Sequence, residues 1–158
     1  MHSTASPRAI ALNETVRSML AQKPHAIWSI SPETTVYDAI AIMSAKHIGA
    51  LVVLSAGRLV GIITERDYAR KVILKGRQSR ETRVREIMSA PVLFVTPEQT
   101  IGKCMHVMTS RHIRHLPVLE ADRVIGMVSI GDLVNWIITA QDDTIRHLHN
   151  YITGSYPS

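Results

Sequence analysis

Apolar residues recur at helical spacing from Val36 through Ala39, Ile40 and Met43, directly after a threonine at position 35. A hydroxyl in that place suits a helix N-cap, and the stripe behind it predicts an amphipathic helix. The period then changes. "ALVVL" from Ala50 and "LVGII" from Leu59 are rich in β-branched residues and flank a short "SAGR" turn, so two strands joined by a tight turn are expected. The helix should end near "KHIG", with Gly49 taking the positive φ that a helix terminus often needs. Thr64 opens a second helix whose inner side is expected to carry Tyr68, Val72 and Ile73. A short extended piece, Ile27 to Ile30, precedes the whole unit.

Shifted by 65 places, the chain matches itself without a gap. "SPETTVYDAIAIMSAKHIGALVVLSAGRLVGIITERDYARKVI" begins at Ser31 and "TPEQTIGKCMHVMTSRHIRHLPVLEADRVIGMVSIGDLVNWII" at Thr96, with about a third of positions identical. A weaker echo precedes each copy: "VRSML" from Val16 and "VREIM" from Val84. Self-similarity of this length marks a supersecondary unit used twice, each copy covering an apolar face of the other. The expected architecture is α+β. It divides into a flexible start (1–13), a first repeat with its preceding segment (14–80), a second repeat (81–140) and a C-terminal helix and tail (141–158). In that last helix Ile145, Leu148 and Ile152 share one face and Gly154 is the stop.

Composition narrows the class. A hydrophobic fraction of 46% over 158 residues supports a packed core, and no apolar run reaches the roughly 18 residues of a membrane span. Cys104 is the single cysteine, so no internal disulfide can form, and a cytoplasmic location is the expectation. The opening "MHSTASPRAI" lacks a secretory layout. A net charge of +5 favours anionic partners, with basic residues crowded from Arg66 to Arg85. Aromatics at 4% argue against a stacking platform for single-stranded nucleic acid.

The candidate chemistry lies where each second strand meets its helix: "GIITERD", Gly61 to Asp67, returns as "GMVSIGD", Gly126 to Asp132. Ser/Thr followed three residues later by an acid is a capping box, worth about 1 kcal/mol on stability grounds alone. Three features point past a cap. The amides of a helix start favour an anion. Gly61 and Gly126 leave room for a flat ligand to approach the backbone. "RHLP", Arg114 to Pro117, places a guanidinium and an imidazole at the mouth of an apolar strand, where an anionic group would match them; Pro117 suits a strand's beginning or open edge.

Two tandem units ending in glycine–apolar–apolar–Ser/Thr–x–x–Asp resemble a cystathionine β-synthase (CBS) domain pair, or Bateman module, over Val16 to Ile138, and the tail resembles small stand-alone bacterial members. The resemblance implies two repeats in pseudo-two-fold symmetry, sheets facing and helices outside, with two clefts binding AMP, ADP, ATP, NAD or S-adenosylmethionine. It further implies that Asp67 holds the ribose of one cleft, with Thr64 and Arg66 beside it. Arg114 and His115 would reach its phosphate from the other copy, and Ser31, Ile48, Gly49 and Ala50 would border the base. The second cleft would use Asp132 and Ser129 for the ribose and Thr96 and Ile113 near the base; its cross-copy partners Gly49 and Ala50 carry no charge, so the clefts should differ. A homodimer and a separate regulated protein are the implied partners.

The rival classes fare less well on the residues. There is no nucleophile–base pairing, no "GxSxG" and no Walker loop, so no catalytic residue is assigned. His112 and His115 are spaced like a metal pair but lack a third ligand, and no metal is expected. His47 and His112 recur near a helix end, where a cation meets the dipole. Cys104 and the methionine stripe read as core. A nucleic-acid-binding module resting on the Arg66–Arg85 cluster, and a scaffold whose motifs are only caps, remain as alternatives.

Overall fold

The change of period along each repeat is realised as helix, strand, turn, strand, helix. A computed structural model of the chain describes residues 5–22 and 26–153, with side chains described through Gln141. The helices and strands run in the order α1 (Pro7–Asn13), α2 (Val16–Gln22), β1 (Ser29–Ile30), α3 (Val36–Lys46), β2 (Ala50–Ser55), β3 (Arg58–Thr64), α4 (Glu65–Tyr68), α5 (Val84–Ile87), α6 (Ile101–Arg111), β4 (His115–Glu120), β5 (Arg123–Ser129) and α7 (Ile130–Thr153). α4 continues as a wider π-helical turn over Ala69–Ile73, and a 3₁₀ turn occupies Ser79–Glu81. The fold is mixed α+β, as the sequence predicts.

By internal contacts the chain divides into two units. One combines Ala26–Phe94 with Pro117–Gly126; the other combines the described parts of Met1–His25, Val95–Leu116 and Met127–Ser158. In the first unit β1, β2 and β3 form a sheet in that order, β1 parallel and β3 antiparallel to β2. Its core is Ile30, Val36, Ala39, Met43, Leu51, Val53, Ile63, Val72, Val84 and Ile87, all buried. In the second unit α1, α6 and α7 pack together around Ala11, Cys104, Met108 and Leu133. Trp136 Nε1 donates to the Ala11 carbonyl there, at 3.3 Å. β4 and β5 pair as a two-stranded sheet.

The two echo segments do more than precede their copies. α2 docks on the turn opening the second repeat: the Val16 and Arg17 amides donate to Gln99 O and Pro97 O, both at 2.9 Å. α5 makes the same bonds on the turn opening the first, Val84 to Thr34 O at 2.8 Å and Arg85 to Pro32 O at 2.9 Å. Even the ion pairs repeat: Arg17 to Glu98 at 2.7 Å, and Arg85 to Glu33 at 3.1 Å. Each echo therefore caps the beginning of the other copy.

Several expectations change. Within the start expected to be flexible, Pro7–Asn13 forms α1, capped by Ser6, whose hydroxyl accepts the Ala9 amide at 3.2 Å. The helix stop falls two residues earlier than Gly49: His47 and His112, at φ 54° and 55°, take the left-handed position. Ile48 and Ile113 then bond back to Met43 O and Met108 O at 3.0 and 3.1 Å. The second repeat's helix and the predicted last helix are one, α7. The side chains of Ile145, Leu148 and Ile152, and Gly154 itself, lie outside the described residues. Val72 and Tyr68 face inward, but Ile73 is exposed, because the π turn inserts one residue and rotates the helix face that follows.

Candidate functional site

The strand-to-helix turn forms twice with the same bonds. In the first repeat the Thr64 amide donates to Asp67 Oδ2 at 3.0 Å, and the Asp67 amide donates to Thr64 Oγ1 at 3.1 Å. In the second, the Ser129 amide donates to Asp132 Oδ2 at 2.9 Å and the Asp132 amide to Ser129 Oγ at 3.1 Å. Both turns are tied to the mouth of the neighbouring strand. Glu65 N–H donates to Gly49 O at 3.1 Å, and Ile130 N–H donates to Arg114 O at 2.9 Å. The capping reading is thus fully realised, which leaves a binding role to be carried by what surrounds each turn.

Around the first turn the structure gathers Ile48, Gly49, Ala50, Thr64 and Asp67: Ala50 is Thr64's partner across β2 and β3, and Gly49 accepts from Glu65. Asp67 is 8% exposed. Its Oδ2 also accepts the Thr64 hydroxyl at 3.1 Å, and its Oδ1 faces Lys71 Nζ at 3.1 Å and accepts from Ser89 Oγ at 3.2 Å. Arg66 is exposed on the first turn of α4.

Ser31 is not brought there. β1 runs parallel to β2 with Ser29 opposite Val52 and Ile30 opposite Val53, so the chain leaves β1 toward the hairpin end of β2. At about 3.3 Å per residue, Ser31 lies some four positions from the level of Ala50, and its hydroxyl accepts the Glu33 amide at 3.3 Å. Ile27 and Trp28, 38% and 39% exposed, are the residues on the turn's side of β1. Only strand direction distinguishes the two sets, and the sequence does not state it.

Gly61 is the second correction. A Cβ there would stand 2.5 Å from Met88 Sδ, so the space it vacates is filled by Met88 and is not an open approach to the backbone. Lys71, Met88 and Ser89 are the neighbours that sequence reasoning missed. The hydroxyl directly after "VREIM" was the available signal for Ser89.

In the second unit Arg114 is exposed beside Ser129–Asp132, through its backbone bond to Ile130, with Ile113 and His115 half-buried on either side. Pro117 is buried in the third place of β4. Thr96 opens the turn into α6, where its amide donates to Gln99 Oε1 at 2.8 Å. The basic cluster is largely engaged by its own neighbours. Arg77 pairs with Glu86 at 2.6 Å, Arg83 donates to Glu33 O at 3.0 Å, and Arg80 lies 4.0 Å from the Tyr37 ring. The Arg83 amide, and then the Arg77 guanidinium, hold Glu86 below the usual carboxylate range. Among the described residues no three His, Cys, Asp or Glu side chains are placed to hold a metal ion, and no helix is long and apolar enough to cross a membrane.

A doubled helix–strand–strand–helix unit with this turn defines a class, and comparison with known proteins identifies it. The CBS domain family profile matches residues 17–73 and 84–139, and the chain belongs to that family of regulatory, ligand-binding modules. A mitochondrial CBS domain-containing protein, CBSX3, of Arabidopsis thaliana is 43% identical over 135 residues, covering 82% of this chain and 65% of the relative. The chain therefore spans about two thirds of that protein's length. The structure of a CBS-domain protein from Burkholderia ambifaria is 48% identical with a TM-score of 0.77, covering 80% of this chain and 95% of its own. One from Agrobacterium tumefaciens is 33% identical with a TM-score of 0.73, covering 77% and 98%.

Proposed function

We propose that the chain is a non-catalytic regulatory module that binds an adenosine nucleotide, AMP, ADP, ATP or NAD(H), and passes the binding event to a separate protein. One observation carries the reading: the Ser/Thr–x–x–Asp turn is built twice with matching bonds, each tied to the mouth of a strand, in a chain of the CBS family. A motif carboxylate can accept from both hydroxyls of a ribose, which a 2′-deoxyribose cannot match. Arg114 offers a planar fork for phosphate oxygens, and His115 beside it adds a ring N–H donor. Reversible binding that favours one arrangement of the module is all such a sensor needs; a homodimer is its expected working form.

Isothermal titration with AMP, ATP, NAD and S-adenosylmethionine tests this. Micromolar binding corresponds to about −8 kcal/mol, within reach of a buried base and a few charge-assisted bonds. If none binds tighter than about 1 mM, the sensor reading is wrong and the turns are caps only.

A further inference from the structure

The chain that joins the repeats ends against the first turn. After α5, Ser89 adds itself to the free edge of β3. Its amide donates to Ile62 O at 2.9 Å, and the Ile62 amide donates to Ser89 O at 3.1 Å. Met88 fills the space over Gly61. The Ile87 carbonyl accepts from Lys71 Nζ at 2.9 Å, and the same ammonium lies 3.1 Å from Asp67 Oδ1. The Ser89 hydroxyl reaches that oxygen at 3.2 Å. Three consecutive residues thus touch the three groups of the turn a flat sugar would use: the glycine, the carboxylate and the lysine beside it.

Counting acceptor capacity turns this contact into a competition. A carboxylate offers about four lone-pair directions. Thr64 N–H, Thr64 O–H, Lys71 and Ser89 supply four donors to Asp67. The vicinal hydroxyls of a ribose need two of those places. The Thr64 amide is part of the backbone cap and cannot leave without opening α4, whereas the Ser89 hydroxyl turns about one bond on an exposed residue.

We infer that Met88–Ser89, hinged on the core residue Ile87, is a latch on the first turn, with Met88 standing where the sugar or base would lie and Ser89 standing in for a ribose hydroxyl on Asp67. A nucleotide binds at Asp67 by displacing it. Since the latch belongs to the segment joining the repeats, its release is the step by which occupancy of the turn is transmitted along the chain. The second repeat lacks the device at the matching places, having Ala21 where the first echo aligns with Ser89 and Trp136 where the repeat aligns with Lys71.

The inference rests on the nucleotide reading, and titration of AMP into the full wild-type chain and into Ser89→Ala separates the two. Removing one neutral competitor should tighten AMP roughly three- to tenfold. Equal or weaker binding by Ser89→Ala, with the wild type binding, overturns the latch and leaves the sensor reading standing. Binding by neither protein removes both. Hydrogen exchange of the wild type gives an independent reading that needs no variant. With AMP bound, the Ser89 and Ile62 amides should exchange faster; unchanged or slower exchange also overturns the latch.

Discussion

At Asp67 a single side chain does structural work that the sequence motif only half describes. It closes the α4 cap, holds Lys71 and fastens Ser89, all from a position 8% exposed. Asp67→Ala would strand the Thr64 amide, the Lys71 ammonium and the Ser89 hydroxyl together. A loss of about 1–3 kcal/mol in urea unfolding is expected, the range for a cap and buried charged bonds; a loss within about 0.5 kcal/mol, typical of surface changes, would show that these bonds contribute little. Cys104 makes an opposite case. It is fully buried on α6, and burial pushes its thiol up to about 11. Because the folded value is raised, the contribution to stability is complete below the unfolded thiol's usual range and fades as pH climbs through about 11. A disulfide reagent at pH 8 should therefore react with the native chain only at the rate of unfolding, and promptly in denaturant. Immediate stoichiometric reaction of the native protein would contradict that placement.

The β2–β3 turn shows how an element can be legible while its geometry is not. "SAGR" reads as a short turn, but the structure closes it in two residues with positive φ at both, Ala56 at 51° and Gly57 at 78°. Ala121 and Asp122 repeat this in the β4–β5 hairpin, at 50° and 62°. Such a turn matches the strand twist and favours Asn-Gly, whereas alanine is penalised by its Cβ. Ala56→Asn should stabilise the protein by about 0.5–1 kcal/mol in thermal unfolding; a neutral or lower melting point would mean that the turn carries no strain. The same division runs through the whole repeat. Helix and strand were legible because a 3.6 period gives way to β-branched runs, and Thr35 and Thr100 cap where the hydroxyls predict, accepting the Asp38 and Lys103 amides at 3.2 and 3.1 Å. The misreadings need geometry beyond periodicity. His47 takes the left-handed position because the bond from Ile48 to Met43 O counts residues back from the helix end. Ile73 turns outward because one inserted residue shifts the phase of its helix. Ser31 drops out because strand direction is invisible in composition. Ser89 is marked in the sequence only by its place directly after "VREIM", and no local pattern links it to Asp67, 22 residues away.

On the scale of the chain, the 65-residue repeat preserves the backbone of the turn and changes its chemistry. Matching amide bonds tie each turn to a strand mouth and matching ion pairs dock each echo, so the scaffold is doubled faithfully. Charge is not. The first turn sets Lys71 against Asp67 with uncharged Gly49 at its strand mouth; the second has Trp136 at the lysine's place and Arg114 at the mouth. One turn thus pairs its lysine with the carboxylate, while the other has an exposed arginine at its strand mouth. Lys71 is engaged by Asp67 and the Ile87 carbonyl, whereas Arg114 is exposed, which gives the two halves different work on a shared plan. Arg114→Ala tests that difference without touching a cap or a buried bond. AMP and adenosine share base and ribose, so a structural effect of the substitution should weaken both alike. A guanidinium on the phosphate instead predicts a loss of roughly tenfold or more for AMP and under about twofold for adenosine. The AMP loss should shrink toward the adenosine value as salt is raised, because an exposed pair is screened over about 10 Å at 0.1 M ionic strength. Equal losses for both ligands, independent of salt, would remove Arg114 from the phosphate and leave the repeated turn without an anion partner.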